Sequence, residues 1–205
     1  MTFSENQIYL KSSKFSAKII NKFLKRFYKN LEKLEVLDFG CGPCTIHKFL
    51  NFKKVFLYDK EFFAIPNKNR KYVRFNNYNS ILKSKQKYDL IIINSVIQYI
   101  APNFLFNLIN SLNKKLKKNG VIFLGDVPRI YRFLEFINCT NLIKIYYLVR
   151  YFLFKKEYFK KEYYLHDKSF FMKKFAKSKL IFLPSNSYFF KKRYCLIVKK
   201  YNENK

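Results

Sequence analysis

Ten residues, Val36-Leu37-Asp38-Phe39-Gly40-Cys41-Gly42-Pro43-Cys44-Thr45, constrain this chain more than any others. An apolar run leads into them and helical spacing follows, so they form a strand-to-helix turn. The turn carries two chemical patterns at once. Cys41-x-x-Cys44 at a helix N-terminus is the pattern of a dithiol with an activated thiolate. Asp38-x-Gly40-x-Gly42 is the pattern of a loop whose backbone, bare at the glycines, admits a nucleotide-like group. Local structure does not choose between them, and the rest of the chain must.

Upstream, Phe15, Ile19, Ile20, Phe23, Leu24, Phe27 and Leu31 recur at helical spacing and predict an amphipathic helix. Downstream, strands and helices alternate. Val36 to Phe39 is a first strand, and Thr45 to Leu50 reads as a helix. Lys54 to Tyr58 is a second strand closed by Asp59, Tyr72 to Phe75 a third, and Leu90 to Ile93 a fourth that is apolar throughout. A helix is expected from Pro102 through Leu116, ended by a left-handed cap at Asn119-Gly120. Val121 to Leu124 makes a fifth strand, closed by Gly125-Asp126. Asp167 reads as the N-cap of a helix over 168–177. Leu180 to Leu183 and Tyr194 to Val198 then form a hairpin with an antiparallel edge strand. Such alternation predicts an α/β fold: an open, mostly parallel sheet with an antiparallel last strand and helices on both faces. Ligands bind such sheets at the carboxyl ends of the strands. Of only five aspartates, Asp38, Asp59 and Asp126 fall at those ends.

Length and composition bound the remaining choices. At 205 residues, 49% hydrophobic, the chain suits one domain with a full core and no need of disulfides. Met1 to Ser13 lacks the apolar stretch of a secretion signal, and the greasy segment from Phe133 to Phe154 contains Glu135, Lys144 and Arg150, too many charges for a span. Four cysteines without an export signal point to a reducing, cytoplasmic setting. The net charge of +29 suits a polyanionic partner. It equally reflects a composition rich in Lys, Asn, Ile, Phe and Tyr and poor in Gly, Ala, Pro and Trp, the bias of an A+T-rich genome.

The order of these motifs resembles the class I S-adenosylmethionine-dependent methyltransferases, with a Rossmann-like seven-stranded sheet, across nearly the whole chain. Val36 to Gly42 is similar to that family's glycine-rich first motif, and Asp59 stands where the family has an acid after strand two. Tyr88 to Tyr99 is similar to its fourth motif, and Leu116 to Ile122 to its turn into strand five. One departure is Cys44, where a third glycine is usual. The resemblance implies a single domain over 1–205, with an N-terminal helical segment at 1–34 and a helical lid at 127–166. It implies S-adenosylmethionine as cofactor, held by Asp38, Gly40, Cys41, Gly42, Asp59 with Lys60 beside it, Asn77, Tyr78 and Asn94. Asp59 would accept from the ribose hydroxyls, Asp38 would meet the methionine amino group, and Asn77 and Tyr78 would flank the adenine.

In this fold the methyl acceptor lies beyond strands four and five, so Ser95, Gln98, Tyr99 and Asp126 are the expected pocket floor. Asp126 and His166 are candidate general bases. The reaction expected is methylation of oxygen or nitrogen on a small-molecule or sugar-type acceptor, with no metal. Alternatives are an RNA methyltransferase, a catalytically silent binding protein, a Cys-x-x-Cys redox protein, and a peripheral membrane contact through the aromatic run from Ile130 to Tyr164. Asn94-Ser95-Val96-Ile97 lacks the Asn/Asp-Pro-Pro-Tyr pattern of enzymes that methylate exocyclic base nitrogens. The redox reading lacks a suitably placed proline and the tryptophan before its first cysteine. His47 completes a Cys-x-x-Cys-x-x-His cluster, but zinc needs a fourth ligand, so His47 is expected to be a solvated or capping histidine.

Overall fold

The structure is a computed structural model that describes residues 3–61, 72–128, 164, 166–176, 178–185 and 193–200. Seven strands form one sheet: β1 (Glu35–Phe39), β2 (Lys54–Tyr58), β3 (Tyr72–Phe75), β4 (Tyr88–Asn94), β5 (Leu116–Pro128), β6 (Ser178–Ser185) and β7 (Arg193–Lys200). Their order across the sheet is β3-β2-β1-β4-β5-β7-β6. The strands from β3 to β5 pair in parallel, and β7 alone is antiparallel to its neighbours β5 and β6. The last strand is therefore antiparallel as expected, but it is not the edge: β7 inserts beside β5, and β6 takes the edge.

Strand alternation sorts the core into two layers. On one face Leu37, Phe56, Ile91, Ile122 and Leu196 pack under the helices α2 (Tyr78–Lys83), α3 (Pro102–Asn113) and α4 (Lys168–Lys174) through Ile81, Leu105, Leu112 and Phe171. On the other, Val36, Val55, Leu90, Phe123 and Ile197 meet Ala17, Ile20 and Leu24 of α1 (Phe3–Leu24). Strands covered on both faces explain the unbroken apolar run of β4.

Several expected elements differ, among them the helix expected over 168–177, which ends at Lys174. Helix α1 starts earlier and ends at Leu24, so Phe27 and Leu31 lie beyond it. Helix α3 stops at Asn113, because Leu116 leaves the helical row to pair with Tyr88 as the start of β5. Gly120 is inside that strand and not a left-handed cap. A Cβ there would come 2.8 Å from the carbonyl oxygen of Tyr88, so glycine is needed for close approach. The helix expected over 45–50 is a single 3-10 turn, Thr45–Lys48. Val127 and Pro128 continue β5, and residues 129–163, most of the expected lid, lie outside the described residues.

Candidate active site

At the carboxyl end of β1 the chain turns through Gly40 (φ +78°) and Gly42 (φ +52°), angles that L side chains rarely adopt. Gly40 is tightly covered: an added Cβ would collide with Val96, which follows β4. Gly42 is the opposite: apart from its own chain neighbours, nothing lies within 4 Å of where its Cβ would stand. Asp59 braces the turn from the end of β2. Its Oδ2 accepts from the Gly42 N–H at 2.6 Å and its Oδ1 from the Glu61 N–H at 3.0 Å. Each oxygen keeps a second lone pair for a ligand hydroxyl. Bare backbone beside a half-buried carboxylate fits the cofactor implied for this turn.

Asp38 is buried in β1, and its Oδ2 pairs with His47 Nε2 at 2.7 Å. His47 is thus neither solvated nor a cap: it is 1% exposed and bonded to the strand acid, a role that its polar setting in the sequence hides. The cysteines are arranged unlike a reactive dithiol. Both thiols approach the Gly42 carbonyl, at 3.6 Å for Cys41 and 3.3 Å for Cys44. Cys41 is held far above the usual thiol range by its hydrogen bond with Cys44, by burial, and by Asp38 and Asp59. That is the reverse of the depressed pKa a redox nucleophile needs. Cys44 itself sits at φ +55°, a left-handed angle that favours glycine, at the position where the resemblance implies a third glycine.

Beside this turn, Phe39 packs against Tyr58 (ring centroids 4.7 Å apart) and edge-on to Tyr78 (5.9 Å). Asn77 caps α2, its Oδ1 accepting from the Ser80 N–H and hydroxyl at 2.8 and 2.9 Å. The side-chain acceptor expected to face adenine is therefore already engaged. Lys60 is exposed next to Asp59.

The second half of the site lies at the ends of β4 and β5. Ser95 (φ +59°) and Asp126 (φ +56°) both adopt left-handed angles, and the Ser95 hydroxyl donates to Asp126 Oδ2 at 2.7 Å. Asn94 Nδ2 donates to Ser95 Oγ at 3.2 Å. Arg193, buried at the start of β7, donates through Nη1 to the Asp126 carbonyl at 2.9 Å and places Nε 3.6 Å from its Oδ1. Sequence reasoning misses Arg193, which is one among 42 basic residues.

Two expected site residues turn inward instead. Gln98 is buried and donates to the Ser95 carbonyl at 2.8 Å, so it shapes the loop rather than the pocket floor. Tyr99 beside it is exposed. His166 is fully buried, with Nε2 2.9 Å from the carbonyls of both Ile97 and Ile100. A nitrogen facing two acceptors must carry the proton, so it cannot serve as the base. Burial also lowers the pKa of this ring, which keeps it neutral. Together with Tyr164, whose N–H donates to the Gln98 carbonyl at 2.8 Å, it ties the returning chain onto the loop after β4.

Strand order, glycine turn and braced acid together define an S-adenosylmethionine-dependent methyltransferase. The chain belongs to the methyltransferase-domain family, whose sequence profile matches residues 11–145. The fold is similar to that of magnesium protoporphyrin IX methyltransferase from Synechocystis PCC 6803 with bound SAH (TM-score 0.59, 15% identity, 98% of this chain and 88% of that one). It is also similar to a S-adenosylmethionine-dependent methyltransferase from Clostridium acetobutylicum (0.54, 13%, 92% of each chain). The SAH-bound CalO1, a methyltransferase of calicheamicin biosynthesis, is a third (0.59, 9%, 96% of this chain and 55% of that one). At these identities the likeness is one of fold. No curated protein matches the chain in sequence.

Proposed function

We propose that this methyltransferase acts on an oxygen or nitrogen of a small-molecule or sugar-type acceptor. The observation that carries this reading is the Ser95–Asp126–Arg193 cluster. It is a compact polar group at the ends of β4 and β5, whose hydroxyl and carboxylate suit hydrogen bonding to an acceptor hydroxyl or amine. The cofactor, when bound, supplies a methyl group on a positively charged sulfur. Asp38 and Asp59 would hold its amino and ribose groups, and the backbone of Gly40, Cys41 and Gly42 would admit it. Tyr78 and Asn77 would flank its base, with Lys60 and Asn94 completing the set of residues that would hold it.

Arg193 lies against the Asp126 carboxylate and Ser95 fixes one of its oxygens, so Asp126 aligns an incoming O–H or N–H and draws its proton away. Transfer of a methyl group from a sulfonium needs mainly in-line positioning and exclusion of water. A strong base is therefore unnecessary, and the engagement of His166 with backbone carbonyls is no obstacle. The structural neighbours named for porphyrin and calicheamicin chemistry support a low-molecular-weight acceptor. No disulfide joins Cys41, Cys44 or Cys195 among the described residues, which suits a cytoplasmic setting. No helix among the described residues is long and apolar enough to cross a membrane.

Calorimetric titration with S-adenosylmethionine tests the cofactor half: micromolar-range affinity is expected, weakened about a hundredfold by Asp59→Ala, which removes two charge-assisted hydrogen bonds. Screening small metabolites against RNA for SAH formation tests the acceptor half. Turnover with RNA and with no small acceptor would overturn it.

A further inference from the structure

We propose that His47 is a positioning residue for the cofactor's amino-acid end, acting through Asp38. The inference rests on the reading of Asp38 as the group that meets the cofactor ammonium.

Asp38 is 1% exposed, and a carboxylate removed from water costs several kcal/mol unless a donor compensates it. The His47 ring meets it at 2.7 Å from nine residues further on. A carboxylate only accepts, so Nε2 carries the hydrogen in that bond. The local chain is built to hold the ring there. Cys44 enters the 3-10 turn at a left-handed angle, the Cys44 N–H donates to the Cys41 carbonyl at 3.0 Å, and the His47 N–H donates to the Cys44 carbonyl at 3.2 Å. From α1, the Ser13 hydroxyl bonds that of Thr45 and pins the turn. Phe52 and Tyr72 crowd the ring, at centroid distances of 6.1 and 6.3 Å.

The consequence lies in how the two oxygens of Asp38 divide. Oδ2 is taken by His47, whereas Oδ1 has no hydrogen bond among the described residues. The histidine therefore fixes the carboxylate's orientation and leaves one acceptor for an incoming ammonium. Without the ring, Asp38 is a buried carboxylate with no donor to orient it, and its rotation removes the feature an ammonium recognises. The left-handed Cys44 gains a purpose on this view: it starts the turn that returns residue 47 to residue 38.

The test compares two ligands by calorimetry. S-Adenosylhomocysteine carries the amino-acid end, and 5′-methylthioadenosine has the same nucleoside without it. His47→Leu is expected to weaken S-adenosylhomocysteine about tenfold, roughly the loss of one hydrogen bond to a charged group, and to leave methylthioadenosine within about twofold. His47→Gln places an N–H near the same point and should restore S-adenosylhomocysteine to within about threefold of wild type. Should the leucine variant not fold, His47→Asn, whose amide is too short to reach, must show the same split. Equal loss of both ligands, no loss of either, or a glutamine variant as weak as leucine overturns the inference. Wild-type protein that binds neither ligand overturns the underlying cofactor-site reading and this inference with it.

Discussion

The two halves of the active-site rim solve the same backbone problem in different ways. At β1 the chain leaves the sheet through left-handed glycines, Gly40 and Gly42. At β4 it leaves through a left-handed residue that keeps its side chain, Ser95, and β5 bulges at another, Asp126. A left-handed angle costs a non-glycine residue about 1–2 kcal/mol, and such strain persists where the surroundings enforce it. The first half bares its backbone for a ligand, while the second accepts strain to aim a hydroxyl and a carboxylate. The halves also differ in reach. Gly42 and Asp59 are 17 residues apart, and Asp38 and His47 are 9 apart. Ser95 and Asp126 are separated by 31 positions, and Arg193 stands 67 beyond Asp126. The cofactor half is a nearly continuous motif, whereas the acceptor half exists only once the sheet has closed.

The substitution that strikes the first half hardest is Gly40→Ala. It forces a Cβ into Val96 and a left-handed angle onto alanine, with a combined cost of about 4 kcal/mol. Thermal denaturation should register a fall of about 12 °C, and S-adenosylhomocysteine binding should be lost. A variant that stays stable and binds normally would mean that the bare backbone is not required. Next in size is Arg193→Met, aimed at the second half. It removes the donor to the Asp126 carbonyl and leaves the carboxylate, only 15% exposed, without its ion pair. A loss of about 3 kcal/mol is expected, the low end for breaking a buried pair. Asp126→Asn placed on top should recover part of it, because the stranded charge is gone. A double variant no more stable than Arg193→Met would show that the pair contributes through packing alone.

The difference in reach also governs what can be read without a structure. β2 and β3 match the apolar runs 54–58 and 72–75 residue for residue, because polar residues bound each run. Leu116 misleads: it lies four residues past Leu112 and continues the helical row, yet its partner is Tyr88 on a neighbouring strand. In the cofactor half, Asp38, Gly40, Gly42 and Asp59 are legible because the turn needs those residue types close together. His47 is read wrongly as solvated, although a usable signal exists, namely a histidine a few residues after a strand that buries an acid. In the acceptor half, Ser95 and Asp126 are legible only as strand-end polar residues, with nothing to pair them. Arg193 carries no signal at all among so many basic residues. His166 stands next to Asp167 in the sequence, but its partners are backbone carbonyls, which no sequence displays.

Ser95→Gly converts the strategy of the second half into that of the first. Three local terms oppose one another. Glycine relieves a left-handed serine by about 1–2 kcal/mol. It also loses more freedom on folding, by about 0.4–1 kcal/mol, and forfeits the hydroxyl's bond to the Asp126 carboxylate, by about 1.5–3 kcal/mol. The net cost is about 1.5 kcal/mol, a fall of only about 4 °C for a chain of this size. Ser95 lies on the acceptor half, so S-adenosylhomocysteine affinity should stay within about twofold of wild type, measured beside Gly40→Ala under the same conditions. A glycine variant that loses the ligand as completely as Gly40→Ala would mean that the halves are one cooperative unit and that the strain at Ser95 serves the cofactor too. Retained binding with nearly unchanged stability would separate them, and would assign the left-handed serine to aiming Asp126 at the acceptor.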